Sequence, residues 1–257
     1  MLLAIDIGNT NIKLGIFKGE DLLGSWRISA ASVRTADEYG LYIGNLLGGE
    51  GFSLKGVTGI IMSSVIPSLN YTIEHMIRHF MPQAKMYAVT PDLKMNIKLG
   101  YENPKELGSD RIVNSAAAYH LYGGPCIVID FGTATTFNAV DRQGVFLGGC
   151  ICAGIKLSME ALAGAASKLP YIEIIRPDGV IGRTTAANLQ AGAVYGLIGQ
   201  VEYIVKKFRA VKGFEKAKVV ATGGLSEIVA AEEKIIDVID RTMTLRGLNL
   251  LYNLNKE

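Results

Sequence analysis

The sequence has 257 residues, 49% hydrophobic and 19% charged, with 26 basic residues against 24 acidic ones for a formal net charge of +2. That balance, without a basic run, excludes a nucleic-acid footprint, and the length and apolar fraction fit one large domain or two lobes with proper cores. No apolar stretch reaches membrane-spanning length, the first residues read as a strand rather than a secretory leader, and three cysteines are too few for a disulfide framework; a cytoplasmic protein with no membrane and no nucleic-acid partner is expected.

Leu2-Leu3-Ala4-Ile5 is an apolar run ending at Asp6, and Gly8 turns the chain two residues later. Ile12, Leu14 and Ile16 then alternate with Asn11, Lys13 and Gly15 at the period of a half-buried strand, which puts Lys13 on the side of Asn11. Gly19-Glu20 marks a hairpin turn, and Leu22 to Ser29 returns antiparallel. Thr35 and Glu38 form a capping box, after which Tyr39, Tyr42, Ile43, Leu46 and Leu47 give a core-facing helical stripe that Gly48-Gly49 stops.

Val57 to Val65 reads as a buried strand, Pro67 as a first helical position, and Leu69, Ile73, Met76, Ile77 and Phe80 as the apolar face that follows. Lys85 to Val89 is a short strand. Residues 90–107 have little periodicity and read as a long ordered loop, which compact domains seldom keep without a use. Ser109 or Asp110 can cap a helix that runs to Gly123-Gly124-Pro125.

The second half repeats the opening pattern. Ile127-Val128-Ile129 ends at Asp130, Gly132 turns the chain, a strand reverses near Arg142-Gln143-Gly144, and Val145 to Cys152 returns. Gly154 precedes a helix ended by Leu169-Pro170, Thr184-Thr185 can cap a long helix to about Phe208, and Lys218 to Ala221 is a short strand with a tight turn at Thr222-Gly223-Gly224. Thr244 to Leu254 is a last amphipathic helix. Two lobes, 1–115 and 116–257, are expected, each α/β with a mixed sheet flanked by helices, and with an active site in the cleft between them.

A strand-Asp-x-Gly-(Asn/Thr) turn places an acid at a strand end and leaves backbone N–H groups and small polar side chains for phosphate oxygens. Two such turns, Asp6-Ile7-Gly8-Asn9-Thr10-Asn11 and Asp130-Phe131-Gly132-Thr133-Ala134-Thr135, lie about half a chain apart. Opposed, they would clamp a polyphosphate and its metal ion. Each motif has a plainer reading: Asp110 as a helix cap, Lys13 as a solvated strand lysine, Tyr101 as a ring packed over its loop, His75 and His79 as a surface pair, and His120 as compensation for a helix dipole. A zinc site at Cys150 and Cys152 lacks a second pair.

Taken together, D-I-G-N-T-N-I-K at 6–13, G-Y-E-N-P-K-E-L-G-S-D-R at 100–111, D-F-G-T-A-T-T at 130–136, G-G-C-I-C-A-G at 148–154, T-G-G-L at 222–225 and T-L-R-G-L near the C-terminus resemble the type III pantothenate kinases. These belong to the acetate and sugar kinase, actin and heat-shock chaperone superfamily, whose fold is a duplicated ribonuclease H-like lobe. The resemblance implies ATP-dependent phosphorylation of pantothenate, with Mg2+ and a monovalent cation, K+ or NH4+, in a homodimer. It implies Asp6, Ile7, Gly8, Asn9, Thr10, Asn11, Ile12, Lys13 and Thr133 around the nucleotide. Tyr101, Gly108, Ser109, Asp110, Arg111 and Thr185 would hold pantothenate, Asp110 would be the catalytic base, and Asp130 would bind the monovalent cation.

Arg111 offers a fork of donors to either the pantothenate carboxylate or the transferring phosphoryl group. Asp110 at a helix start is expected to keep a low pKa. Two departures from the family pattern stand out: Ala153 where proline is usual, and Asn138 where aspartate is frequent. The alternatives are a non-catalytic regulatory relative on the same fold, and a small-molecule kinase or phosphohydrolase with another substrate.

Overall fold

The computed structural model describes residues 1–32, 34–230 and 234–256. Strand β1 (Leu2–Ile7) is apolar except at Asp6 and lies in the middle of a five-stranded sheet. The chain turns into β2 (Asn11–Lys18), antiparallel to β1, and again at Gly19 into β3 (Asp21–Ser29). On its other side β1 runs parallel to β4 (Gly59–Ser64), which runs parallel to β5 (Lys85–Ala88), giving the order β3-β2-β1-β4-β5.

Strand alternation sends Leu3, Ile5 and Ile7 to one face, where α1 (Ala36–Gly49) and α2 (Pro67–Phe80) cover them with Tyr39, Ile43, Leu47, Ile73, Met76 and Ile77. Each such fully buried Leu or Ile contributes roughly 1.5–3 kcal/mol relative to exposure, so this face is the core. The α1 stripe is narrower than expected. Tyr39 is fully buried, whereas Tyr42 is 49% exposed and lies under the Arg34 guanidinium at 5.0 Å.

The second sheet is built on β7 (Cys126–Phe131), β8 (Ala134–Val140), β9 (Val145–Ala153), β10 (Lys218–Gly223) and β11 (Val238–Ile239), with β6 (Lys98–Leu99) on the edge beside β9. From β9 to β11 its order and strand directions repeat the first sheet from β3 to β5. Ile127, Ile129 and Phe131 face a core filled by α5 (Thr185–Arg209), with Ile155 of α4 (Ile155–Ala165) and Val229 of α6 (Ser226–Ala230). This is the duplicated mixed-sheet α/β architecture that the repeated hairpins imply.

The chain divides into two compact units: Met1–Asn96, Glu102–Ala117 and Thr242–Glu257 form one, Ile97–Tyr101 and Ala118–Arg241 the other. Both units are discontinuous in sequence. Helix α7 (Met243–Asn255) joins the first unit because it packs on β1, β2 and β4, where Gly15 leaves room for Leu245. Residues 97–101 join the second because β6 pairs with β9. The expected long loop therefore contains a strand, and then a short 3-10 turn at Pro104–Glu106 capped by Asn103.

Candidate active site

In the first unit, Asp6 sits on the face of β1 opposite the α1–α2 core, in register with Lys13 on β2 and Ser63 on β4. The Lys13 ammonium lies 3.3 Å from the Asp6 carboxylate, whose side chain is only 7% exposed. Lys13 is thus not a solvated lysine but the partner of a nearly buried acid. Between the two strands Gly8 donates to the Asn11 carbonyl at 3.0 Å, and Asn9 and Thr10 are exposed at the tip.

Helix α3 (Ser109–Tyr122) starts at this end of the sheet. Gly108 takes the cap position, its carbonyl accepting from Arg111 and Ile112; Ser109 and Asp110 are the first two helical residues rather than caps. A Cβ at position 108 would come within 2.5 Å of the Asp110 carboxylate oxygen, so a larger residue there would push that carboxylate aside. That carboxylate accepts from the Arg111 N–H at 2.8 Å.

Burial pushes the Asp110 carboxyl above the usual carboxylate range, and the nearby Asp6 carboxylate adds to the effect. The Arg111 N–H, the Arg111 guanidinium and Lys13 pull the other way without reversing it. The expectation of a low pKa at a helix start is corrected here, because desolvation and a like charge outweigh the N-terminal dipole. Arg111 is itself buried.

Ser109 hydrogen-bonds to Ser63 and to both backbone groups of Ser64. Ser63 and Ser64 were not singled out from sequence, although two serines ending the apolar run Gly59-Ile60-Ile61-Met62 are a visible signal.

In the second unit, Asp130 occupies the matching place on β7, in register with Thr136 on β8 and Thr222 on β10. The three side chains share one face of the sheet. Among the described residues the buried Thr222 hydroxyl has no hydrogen-bond partner, and Thr136 accepts from the Asn138 amide at 3.3 Å. Gly132 and Thr133 are exposed at the turn, which is closed by Gly132 donating to the Ala134 carbonyl and Gly154 to the Thr133 carbonyl. Ala153 ends β9 in register with Ala134.

Tyr101 lies in the second unit, edge-on to Phe146 at 6.0 Å and against Gly148 of β9. Thr185 is the exposed first residue of α5, whose cap is Thr184. Residues 6–13 and 108–111 thus come together in the first unit, while Tyr101, Asp130, Thr133 and Thr185 belong to the second.

Other chemistry-bearing residues fall outside these clusters. Among the described residues no group of three or more His, Cys, Asp or Glu could hold a metal ion. His75 stacks on Tyr71 and His79 meets Phe80 edge-on. Burial pushes the Cys126 thiol up to about 12. No helix among the described residues is long and apolar enough to cross a membrane.

A family model for type III pantothenate kinase matches residues 2–207. A Campylobacter jejuni protein described as a conserved Baf family transcriptional activator superimposes with a TM-score of 0.62 at 18% identity, over 98% of this chain and 98% of that one. A Sinorhizobium meliloti protein described as a 2-dehydro-3-deoxygalactonokinase gives 0.60 at 14% identity, over 99% and 97%. A Listeria monocytogenes protein described as an N-acetylmannosamine kinase gives 0.53 at 11% identity, over 100% and 99%. At these identities the likeness is one of fold, the duplicated ribonuclease H-like lobes of the sugar kinases.

Proposed function

We propose that this chain, which belongs to the type III pantothenate kinase family, transfers the γ-phosphoryl group of ATP to the primary hydroxyl of pantothenate, giving 4'-phosphopantothenate in the first step of coenzyme A biosynthesis. Membership makes it a kinase, with ATP and its divalent ion as substrate. The observation that carries the finer reading is the placement of Asp110. It is a half-buried carboxylate at a helix start, close enough to Asp6 and Lys13 to be shifted by both.

Phosphoryl transfer needs positioning, positive charge around the phosphates and one acceptor on the attacking hydroxyl. In this reading residues 6–13 and Thr133 hold the phosphates, with Lys13 oriented by Asp6. Asp110 accepts the proton of the pantothenate hydroxyl, and its raised proton affinity brings it nearer the operating pH than an ordinary carboxylate. Arg111, Tyr101, Thr185 and the start of α3 hold the substrate. Because the Ser109 hydroxyl is already committed, Ser109 contributes through its main-chain N–H, one of the donors a helix start leaves without an intrahelical partner.

Asp130 suits a monovalent cation. A carboxylate flanked in register by Thr136 and by the orphaned Thr222 hydroxyl is an all-oxygen donor set, as a hard cation requires. Bound there, such an ion would supply positive charge beside the second turn. A homodimer is proposed too, with Leu147, Ile151, Leu157 and Leu162 as exposed apolar residues for a partner to cover. The alternatives are a regulatory relative on the same fold and a kinase for another small acceptor.

The test is purified protein with Mg-ATP, potassium and a panel of small hydroxyl acceptors, read by product mass. Phosphorylated pantothenate is expected, with a dimer mass in native conditions and a slower rate in sodium. Turnover only on another acceptor would overturn the substrate, a monomer mass the dimer, and equal rates in the two salts the cation role.

A further inference from the structure

Strand β5 accompanies β4 only as far as Met62, whose carbonyl accepts the Val89 N–H as the last rung. The Val65 N–H turns the other way, to the Ile7 carbonyl on β1, so alternation directs the N–H and C=O of Ser64 to the side where β5 has stopped. One side chain meets both. The Ser64 N–H donates to Ser109 Oγ at 3.0 Å, and the Ser109 hydroxyl donates to the Ser64 carbonyl at 3.0 Å.

With its proton committed, Ser109 Oγ can only accept from Ser63 Oγ, 3.0 Å away. The hydroxyl is then saturated, one bond donated and two accepted. Ser63 and Ser109 are both buried, and Ser63 faces Asp6 across the parallel pair. A serine at the start of α3 therefore stands in for the missing rung of β5.

We propose that the Ser63–Ser64–Ser109 clasp is a positioning device for phosphoryl transfer, fixing Asp110 against the Asp6–Lys13 pair by tying the helix start to the end of β4. This rests on the reading of Asp110 as the base. Without the Ser109 hydroxyl, the N–H and C=O of Ser64 take water, and the first turn of α3 moves outward with Asp110. The charged groups facing Asp110 are Asp6 on β1, Lys13 on β2 and Arg111 on α3. Displacement weakens the burial and the Asp6 repulsion together, so the Asp110 carboxyl returns toward its ordinary value.

The test compares Ser109→Ala and Ser63→Ala with the wild type by steady-state kinetics against pH and by 13C-carboxyl titration of Asp110. For Ser109→Ala, kcat is expected to fall about 10- to 100-fold, the scale of a small misplacement, with KM for ATP within about twofold and the acid limb of the kcat profile at lower pH. Ser63→Ala keeps both bonds to Ser64; it should fold even where Ser109→Ala does not, and show a smaller change in the same direction. Should Asp110 titrate as in the wild type in whichever variants fold, the clasp is not a positioning device. A shifted titration in a protein that never turns over pantothenate would keep the clasp and sink the pantothenate reading instead.

Discussion

Asp6 and Asp130 each lie near the end of the central strand of a sheet, with an antiparallel neighbour on one side and a parallel one on the other, yet the residues across from them differ. Asp6 faces Lys13 and Ser63; Asp130 faces Thr136 and Thr222. In the first turn the nearly buried carboxylate is matched by an ammonium at 3.3 Å and a second acid, Asp110, is brought beside it. In the second the carboxylate lies among hydroxyls. The two sheets share the backbone scaffold and the acid but not the residues in register with it, and on the proposed reading that difference makes one acid orient a lysine and the other offer oxygens to a cation.

If that division holds, the largest effect comes from the first turn. Asp110→Asn keeps size and hydrogen bonding but cannot accept the proton, and kcat should fall about 10²- to 10⁴-fold at saturating substrates. Asp130→Asn should act mainly by flattening the dependence of rate on potassium. Rate measurements on the two variants across a potassium titration decide it; equal losses of kcat with unchanged cation dependence would remove the distinction.

A smaller effect separates the two turns mechanically. A Cβ at Gly154 would meet the carbonyl oxygens of Gly132 and Thr133 at 2.5 Å each, whereas at Gly8 it would meet one carbonyl, that of Asn11, at 3.2 Å. Gly154 has φ of −68, so close approach of backbones, not dihedral freedom, requires the glycine. Gly154→Ala should cost about 1–3 kcal/mol of stability as the second turn is forced aside, and Gly8→Ala less than about 1 kcal/mol. Thermal unfolding of the two variants checks the order, and the reverse order would show the second turn to be the more yielding.

Both hairpins were legible in sequence because alternation, a terminal acid and a turn glycine are local signals. Assigning α7 to the first unit was not, since nothing near Met243 reports that Leu245 fits against Gly15. The cap of α3 was misread because Gly108, Ser109 and Asp110 are all capping types, and only the bonds of the Gly108 carbonyl choose among them. The serine clasp joins residues 45 and 46 positions apart, beyond any local pattern. Asp110 illustrates the same limit in electrostatics: its helix position argued for a stabilised carboxylate, while burial and Asp6 argue the opposite.

That reversal supplies the smallest and most discriminating prediction. A carboxyl whose folded-state pKa lies above its unfolded value binds its proton more tightly in the folded protein. Its contribution to stability is therefore fully present below the unfolded pKa and is lost as pH rises through the folded one. At neutral pH, where the unfolded carboxyl is ionised, the raised folded pKa is thus a burden on the fold, and Asp110→Asn should raise the melting temperature by on the order of 1–3 °C while it lowers turnover. The gain should shrink as pH falls and vanish once Asp110 is protonated in both states. A helix cap or dipole partner behaves oppositely, its removal lowering stability at neutral pH. Melting curves of wild type and Asp110→Asn from acid to neutral pH separate the two, and a variant that melts lower at neutral pH would make Asp110 a structural residue of the first turn, not a carboxylate held there against the preference of the fold.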